Sequence, residues 1–136
     1  MSRKYKFGEA TGAYFISFAT VYWIDVFTRL AYFDTIIESL DFCRKQKGME
    51  IYGYCIMPSN VHLIFRSTFG DPSGLIRDFK GFTLRKMLKT IEENPQESSR
   101  EWLLWMFEKA GKKNSNVTFR QFYFVSSLFQ ARVATK

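Results

Sequence analysis

The sequence predicts an α+β domain, an antiparallel sheet with helices packed on one face, and three observations predict it. Apolar residues alternate with a period of two in four stretches, they recur with helical period in others, and the two kinds run strand, helix, strand, strand, helix, short helix, strand. At 136 residues the chain has the length of one such domain. A hydrophobic share of 46%, with 15 Phe, 7 Tyr and 3 Trp, excludes a disordered chain, which lacks apolar surface to offset its ordering entropy. With 8 Gly and 3 Pro, collagen-like and low-complexity classes are excluded as well.

Residues 1–12 read as a basic arm ending in Gly8 and Gly12. Over Ala13–Val21 the residues Tyr14, Ile16 and Phe18 fall on one side and Phe15, Ser17 and Ala19 on the other, the pattern of a strand. From Tyr32 to Lys47 the period changes: Phe33, Ile36, Ile37, Leu40 and Cys43 form one stripe, while Asp34, Glu38, Asp41 and Lys45 face away. Gly48 follows as a helix C-terminal glycine, after Arg44, Lys45 and Lys47. Two strands, Glu50–Met57 and Val61–Ser67, flank the turn residues Pro58-Ser59-Asn60. Gly70 to Gly74 reads as a loop, and a second helix runs from Leu75 to Glu93, stopped by Asn94-Pro95. A third, short helix starts at Ser98, whose spacing to Glu101 fits a capping box. Its Trp102, Trp105, Met106 and Phe107 make it apolar nearly all round, which predicts burial in a core or an interface. A basic loop, Gly111 to Asn116, leads to a fourth strand at Val117–Val125, and residues 126–136 form a short tail. This order is that of the ferredoxin-like, split βαβ fold; its domain spans 13–125.

The formal net charge is +7, from 20 Lys and Arg against 13 Asp and Glu. One basic cluster is Arg77, Lys80, Arg85, Lys86 and Lys89, opposed nearby by Asp78; after Glu108 come Lys109, Lys112, Lys113, Arg120, Arg132 and Lys136 with no acid. Such clusters are the footprint of a polyanion, usually nucleic acid, and equally of a solubilising surface. Lys80 falls on the apolar side of its helix, either snorkelling or aimed at a ligand. Tyr52 and Tyr54 offer faces for unpaired bases or for core or dimer packing. No uncharged run reaches the roughly 18 residues of a membrane span, so no membrane partner is expected. Cys43 and Cys55 sit in apolar patterns rather than a spaced framework, which suits a reducing, cytoplasmic setting.

His62 is the one histidine, and Asn60 shares its strand face because i and i+2 point to the same side. The pair reads either as a hydrogen-bonded structural couple or as two ligands of one ion. The string Tyr54-Cys55-Ile56-Met57-Pro58-Ser59-Asn60-Val61-His62-Leu63-Ile64 resembles the signature strand pair of the HUH-type single-tyrosine transposases, among them the REP-associated tyrosine transposases. Further similar stretches are Tyr14-Phe15-Ile16-Ser17-Phe18-Ala19-Thr20, Ile76-Arg77-Asp78-Phe79-Lys80 with Phe82-Thr83, and Glu101-Trp102 through Lys109. The resemblance covers most of Tyr5 to Phe122 and implies an RRM-like or ferredoxin-like sheet. It also implies single-stranded or hairpin DNA as partner, a homodimer, and a Mg or Mn ion that polarises the scissile phosphate for a tyrosine nucleophile.

Two departures touch that chemistry. The family reads Met-Pro-Asn-His-Val-His-Leu, and Asn60 stands where its first histidine stands, leaving His62 and Asn60 as the metal candidates. A neutral amide oxygen in place of an imidazole weakens the ion's hold. No residue matches the family's nucleophile helix: Tyr123, the one tyrosine after Tyr54, falls in the fourth predicted strand, where packing on a helix is the alternative to catalysis. The expectation is therefore a DNA-binding transposase-like domain with an incomplete active site, or an inert RRM-like binding module or dimerising remnant. Its DNA-binding candidates are Arg77, Lys80, Arg85, Lys86, Lys89, Lys112 and Lys113.

Overall fold

The structure, a computed structural model, describes residues 7–20, 22 and 24–112, and the backbone of 125–132. In chain order the elements are β1 (Ala13–Thr20), a 3-10 turn (Val26–Thr28), α1 (Leu30–Gln46), β2 (Met49–Ile56), β3 (Asn60–Ser67), α2 (Pro72–Glu93), α3 (Arg100–Lys112) and β4 (Val125–Arg132). The sheet order is β2-β3-β1-β4, and each neighbouring pair is antiparallel. The helix-linked pairs are each split by one strand, β1 and β2 by β3, and β3 and β4 by β1, while β2 and β3 form a hairpin; this is the ferredoxin-like α+β arrangement that the element order predicts.

The sheet's two faces follow from alternation. Val61, Leu63 and Phe65 of β3 are buried, while Asn60, His62, Ile64 and Arg66 are half-buried on the other side. Tyr14, Ile16 and Phe18 of β1 join the buried set, and the Phe18 ring lies 5.4 Å from that of Phe79 on α2. Helices α1 and α2 therefore cover one face. They meet through the stacked rings of Phe42 and Phe82 (4.2 Å) and through the Thr83 hydroxyl, which donates to Ser39 at 2.6 Å.

Several element ends differ from the sequence reading, each for a local reason. Helix α2 begins at Pro72 because the Asp71 carboxylate accepts the Gly74 N–H (3.0 Å) and proline suits the first helical position. That cap was legible in Asp71-Pro72, within a stretch read as loop. Helix α3 begins at Arg100, and the carboxylate receiving an N–H at this turn is that of Glu97, from Ser99 at 2.9 Å, rather than a Ser98–Glu101 box. Trp102 and Trp105, expected to be buried, are about half exposed, because α3 buries the stripe Leu103, Phe107, Ala110 and Gly111. The fourth strand is Val125–Arg132, defined by its pairing with β1, inside the stretch read as a tail. The strand expected over Val117–Val125 lies outside the described residues except for Val125.

Gly48 ends α1 with a φ of 68°, a left-handed backbone, and a Cβ there would stand 2.6 Å from the Thr68 hydroxyl oxygen. Both the backbone and the space require glycine. Gly48→Ala is expected to destabilise the fold by about 1–3 kcal/mol. An unchanged urea midpoint would show that the turn relaxes freely.

Candidate functional site

The face of the sheet turned away from the helices carries the residues singled out for chemistry. Direct cross-strand partners set its layout: His62 of β3 faces Ser17 of β1 on one side and Cys55 of β2 on the other. Asn60 lies two residues before His62 on the same face, opposite Ala19. Past the last rung of the β2–β3 ladder, the Met57 N–H donates to the Asn60 carbonyl at 2.8 Å, so Met57 stands opposite Asn60. The loop after β1 clamps this end, since Thr20 N–H donates to the Ser59 carbonyl (2.9 Å) and Phe27 N–H to that of Pro58 (3.0 Å).

The imidazole of His62 is held on two sides. Its Nδ1 is 3.0 Å from the Ser17 hydroxyl oxygen, and its ring stacks on Phe15 at 5.7 Å with 19° between the planes. A proton on Nδ1 donated to Ser17 leaves the Nε2 lone pair available to a ligand. Asn60 Oδ1 is buried and has no hydrogen-bond partner among the described residues.

A Mg or Mn ion calls for several hard oxygen ligands, carboxylates above all. On this face the described strands supply one carboxylate, Glu50, which hydrogen-bonds Tyr52 and pairs with Arg66 (3.5 Å) at the far end of the β2–β3 ladder from His62. Among the described residues no group of three His, Cys, Asp or Glu side chains gathers. One imidazole and one amide oxygen do not fit a hard divalent ion.

The basic candidates of α2 lie on the helix side of the sheet. Arg85 and Lys89 are exposed on α2, across the sheet from His62. Arg77 is exposed beside Asp78 (3.6 Å), Lys86 is paired with Glu38 of α1 (2.5 Å), and Lys112 with Glu108 (3.2 Å). Lys80 is 8% exposed, its ammonium 5.9 Å from the Phe18 ring centre, and burial pushes its pKa down to about 8. The structure thus brings Asn60 and His62 together on one sheet face, which they share with Arg66, but not with the α2 candidates, and Lys113 lies outside the described residues. Tyr52 and Tyr54 are exposed on the edge strand β2. Sequence reasoning did not find Ser17, Cys55 and Met57, because only strand register shows what lies across from His62 and Asn60.

No protein-family model and no curated protein matches the chain. Among solved structures it is similar to a REP-associated tyrosine transposase bound to a REP hairpin, with a TM-score of 0.61 and 11% identity. That match covers 100% of this chain but 64% of the transposase, so the chain spans less than two thirds of that protein's length. It is also similar to a protein assigned as a transposase from Deinococcus radiodurans R1, with a TM-score of 0.51 and 19% identity over 81% of this chain and 95% of that one. At such identities the likeness is one of fold. No helix among the described residues is long and apolar enough to cross a membrane.

Proposed function

We propose that this chain is a transposase-like module that binds hairpin or single-stranded DNA and cuts it weakly or not at all. The observation that carries this reading is the lone imidazole: His62 shares its sheet face with Asn60, where the resembling enzymes have a second histidine. The solved neighbour holding a REP hairpin supports the choice of DNA, and the strings around His62 and through α2 support the choice of family. His62 and Asn60 would offer a Mg or Mn ion one nitrogen and one neutral oxygen, too few to hold the cation that would otherwise polarise a scissile phosphate. The exposed guanidinium groups of Arg77 and Arg85 and the ammonium of Lys89 are α2 cations open to a phosphate backbone, and a homodimer is the assembly the resemblance implies.

The test has two arms. In gel shifts the chain is expected to retain hairpin DNA with a steep salt dependence, and Arg85→Glu with Lys89→Glu to weaken retention about tenfold and lower the salt slope by about 2. In a nicking assay with Mn, little covalent 5′-linked protein is expected, whereas Asn60→His gains Mn affinity by restoring the second imidazole. Efficient cutting by the unaltered chain refutes the incomplete site. Binding indifferent to EDTA and to His62→Ala assigns the protein to an inert, RRM-like binder instead. The stacked, half-buried Phe15–His62 pair on the face turned away from α1 and α2 is the feature that favours that second reading.

A further inference from the structure

The side chains around His62 are softer than those a transposase ion requires, and that mismatch has a positive meaning. Cys55 is exposed and lies directly across from His62, where cross-strand Cβ atoms stand roughly 4.5–5.5 Å apart. Met57, 44% exposed, is two residues along from Cys55, hence on the same face by the pleat, and opposite Asn60. A thiol, a thioether and an imidazole therefore share one end of one sheet face, with the Asn60 oxygen, which has no hydrogen-bond partner among the described residues, beside them. Ser17 and Phe15 of β1 hold the imidazole through its Nδ1 and its ring face, as outer-shell partners hold metal-bound histidines.

We infer that Cys55, Met57 and His62 form a site for a soft monovalent metal ion of the Cu(I) class. Thiolate and thioether ligands select Cu(I), whereas Zn(II) takes thiolate and imidazole but not thioether, and Mg(II) takes neither sulfur. Binding requires the Cys55 thiolate, so one proton leaves as the metal enters. The three side chains come from the β2–β3 hairpin alone, which keeps the site within one rigid piece of the sheet.

The experiment is an anaerobic competition between the full chain and the chromophoric Cu(I) chelator bicinchoninate. The chain is expected to withdraw one equivalent of copper. Cys55→Ser, Met57→Leu and His62→Gln are each expected to weaken its hold by more than about tenfold, the least that removing even a supporting shell brings. Cys43→Ser is expected to change nothing, because that thiol is buried on α1. Failure to withdraw copper, withdrawal unaffected by Cys55→Ser, or withdrawal abolished by Cys43→Ser overturns the assignment. If a variant does not fold, X-ray absorption on the unaltered chain decides: two sulfurs and one nitrogen support the site, an oxygen-dominated shell refutes it. Hairpin retention measured with and without copper keeps this result separate from DNA binding.

Discussion

Glu97→Ala is expected to lower the stability of this fold by about 3 kcal/mol, since it leaves buried partners unsatisfied. Glu97 is 6% exposed, and its carboxylate gathers three groups, two from the start of α1 and one from its own turn. The Tyr32 hydroxyl of α1 donates to Oε1 at 2.7 Å, the Arg29 guanidinium before α1 pairs with the same oxygen at 2.9 Å, and Ser99 N–H donates to Oε2 at 2.9 Å. Asn94, at the end of α2, adds a donor to the Tyr32 hydroxyl at 3.3 Å. The network ties the start of α1 to the α2–α3 turn. Without the carboxylate, Tyr32 keeps a hydroxyl in a fully buried position with one partner fewer. Glu97→Gln retains an acceptor and is expected to lose roughly half as much. Urea unfolding measures both variants; a loss no larger than that of an exposed Glu→Ala change would mean the network is ornamental to stability.

The same network predicts an alkaline dependence. Burial first, and the hydrogen bond to Glu97 second, push the Tyr32 phenol up to about 12 from 10.0. A folded pKa above the unfolded one favours the protonated form, so this stabilisation is complete below pH 10 and disappears as pH rises through 12. Tyr32→Phe is expected to remove that slope, leaving the difference between variant and parent to shrink across the window.

The sequence carries the architecture through period and punctuation. Gly48, Pro58-Ser59-Asn60 and Asn94-Pro95 mark chain reversals, and alternation in Asn60–Ser67 separates the core side from the half-buried side, whereas β1 is buried on both faces along nearly its whole length. The shared face of Asn60 and His62 follows from the same alternation. Partners across the sheet do not. Ser17 and Cys55 are 45 residues before and seven before His62, and a strand slipped by one residue would turn either of them to the other face. The stretch 126–136 reads as a tail because VSSLFQAR alternates weakly, and the strand Val125–Arg132 is set by backbone pairing with β1. The exposure of Trp102 and Trp105 was hidden for a related reason: a helix apolar all round does not say which stripe its neighbour will cover.

Lys80 shows how burial can turn a cation from a binding candidate into a stability determinant. It lies on the core side of α2, 8% exposed, and loss of hydration alone pushes its pKa from 10.5 to about 8. The sign follows from proton counting. Between pH 8 and 10.5 the unfolded chain holds a proton that the folded chain has released, so folding becomes more favourable as pH rises; below pH 8 both states hold it and the cost is constant. A displacement of this size corresponds to about 3 kcal/mol. The stability of the parent chain relative to Lys80→Met is therefore expected to climb by that amount from pH 8 to pH 10.5, read by urea unfolding at matched ionic strength. Lys80→Met should also leave hairpin retention unchanged, whereas Arg85→Glu with Lys89→Glu reduces it. A flat stability difference across this pH range would place the ammonium in water, and would return Lys80 to the side chains open to a phosphate.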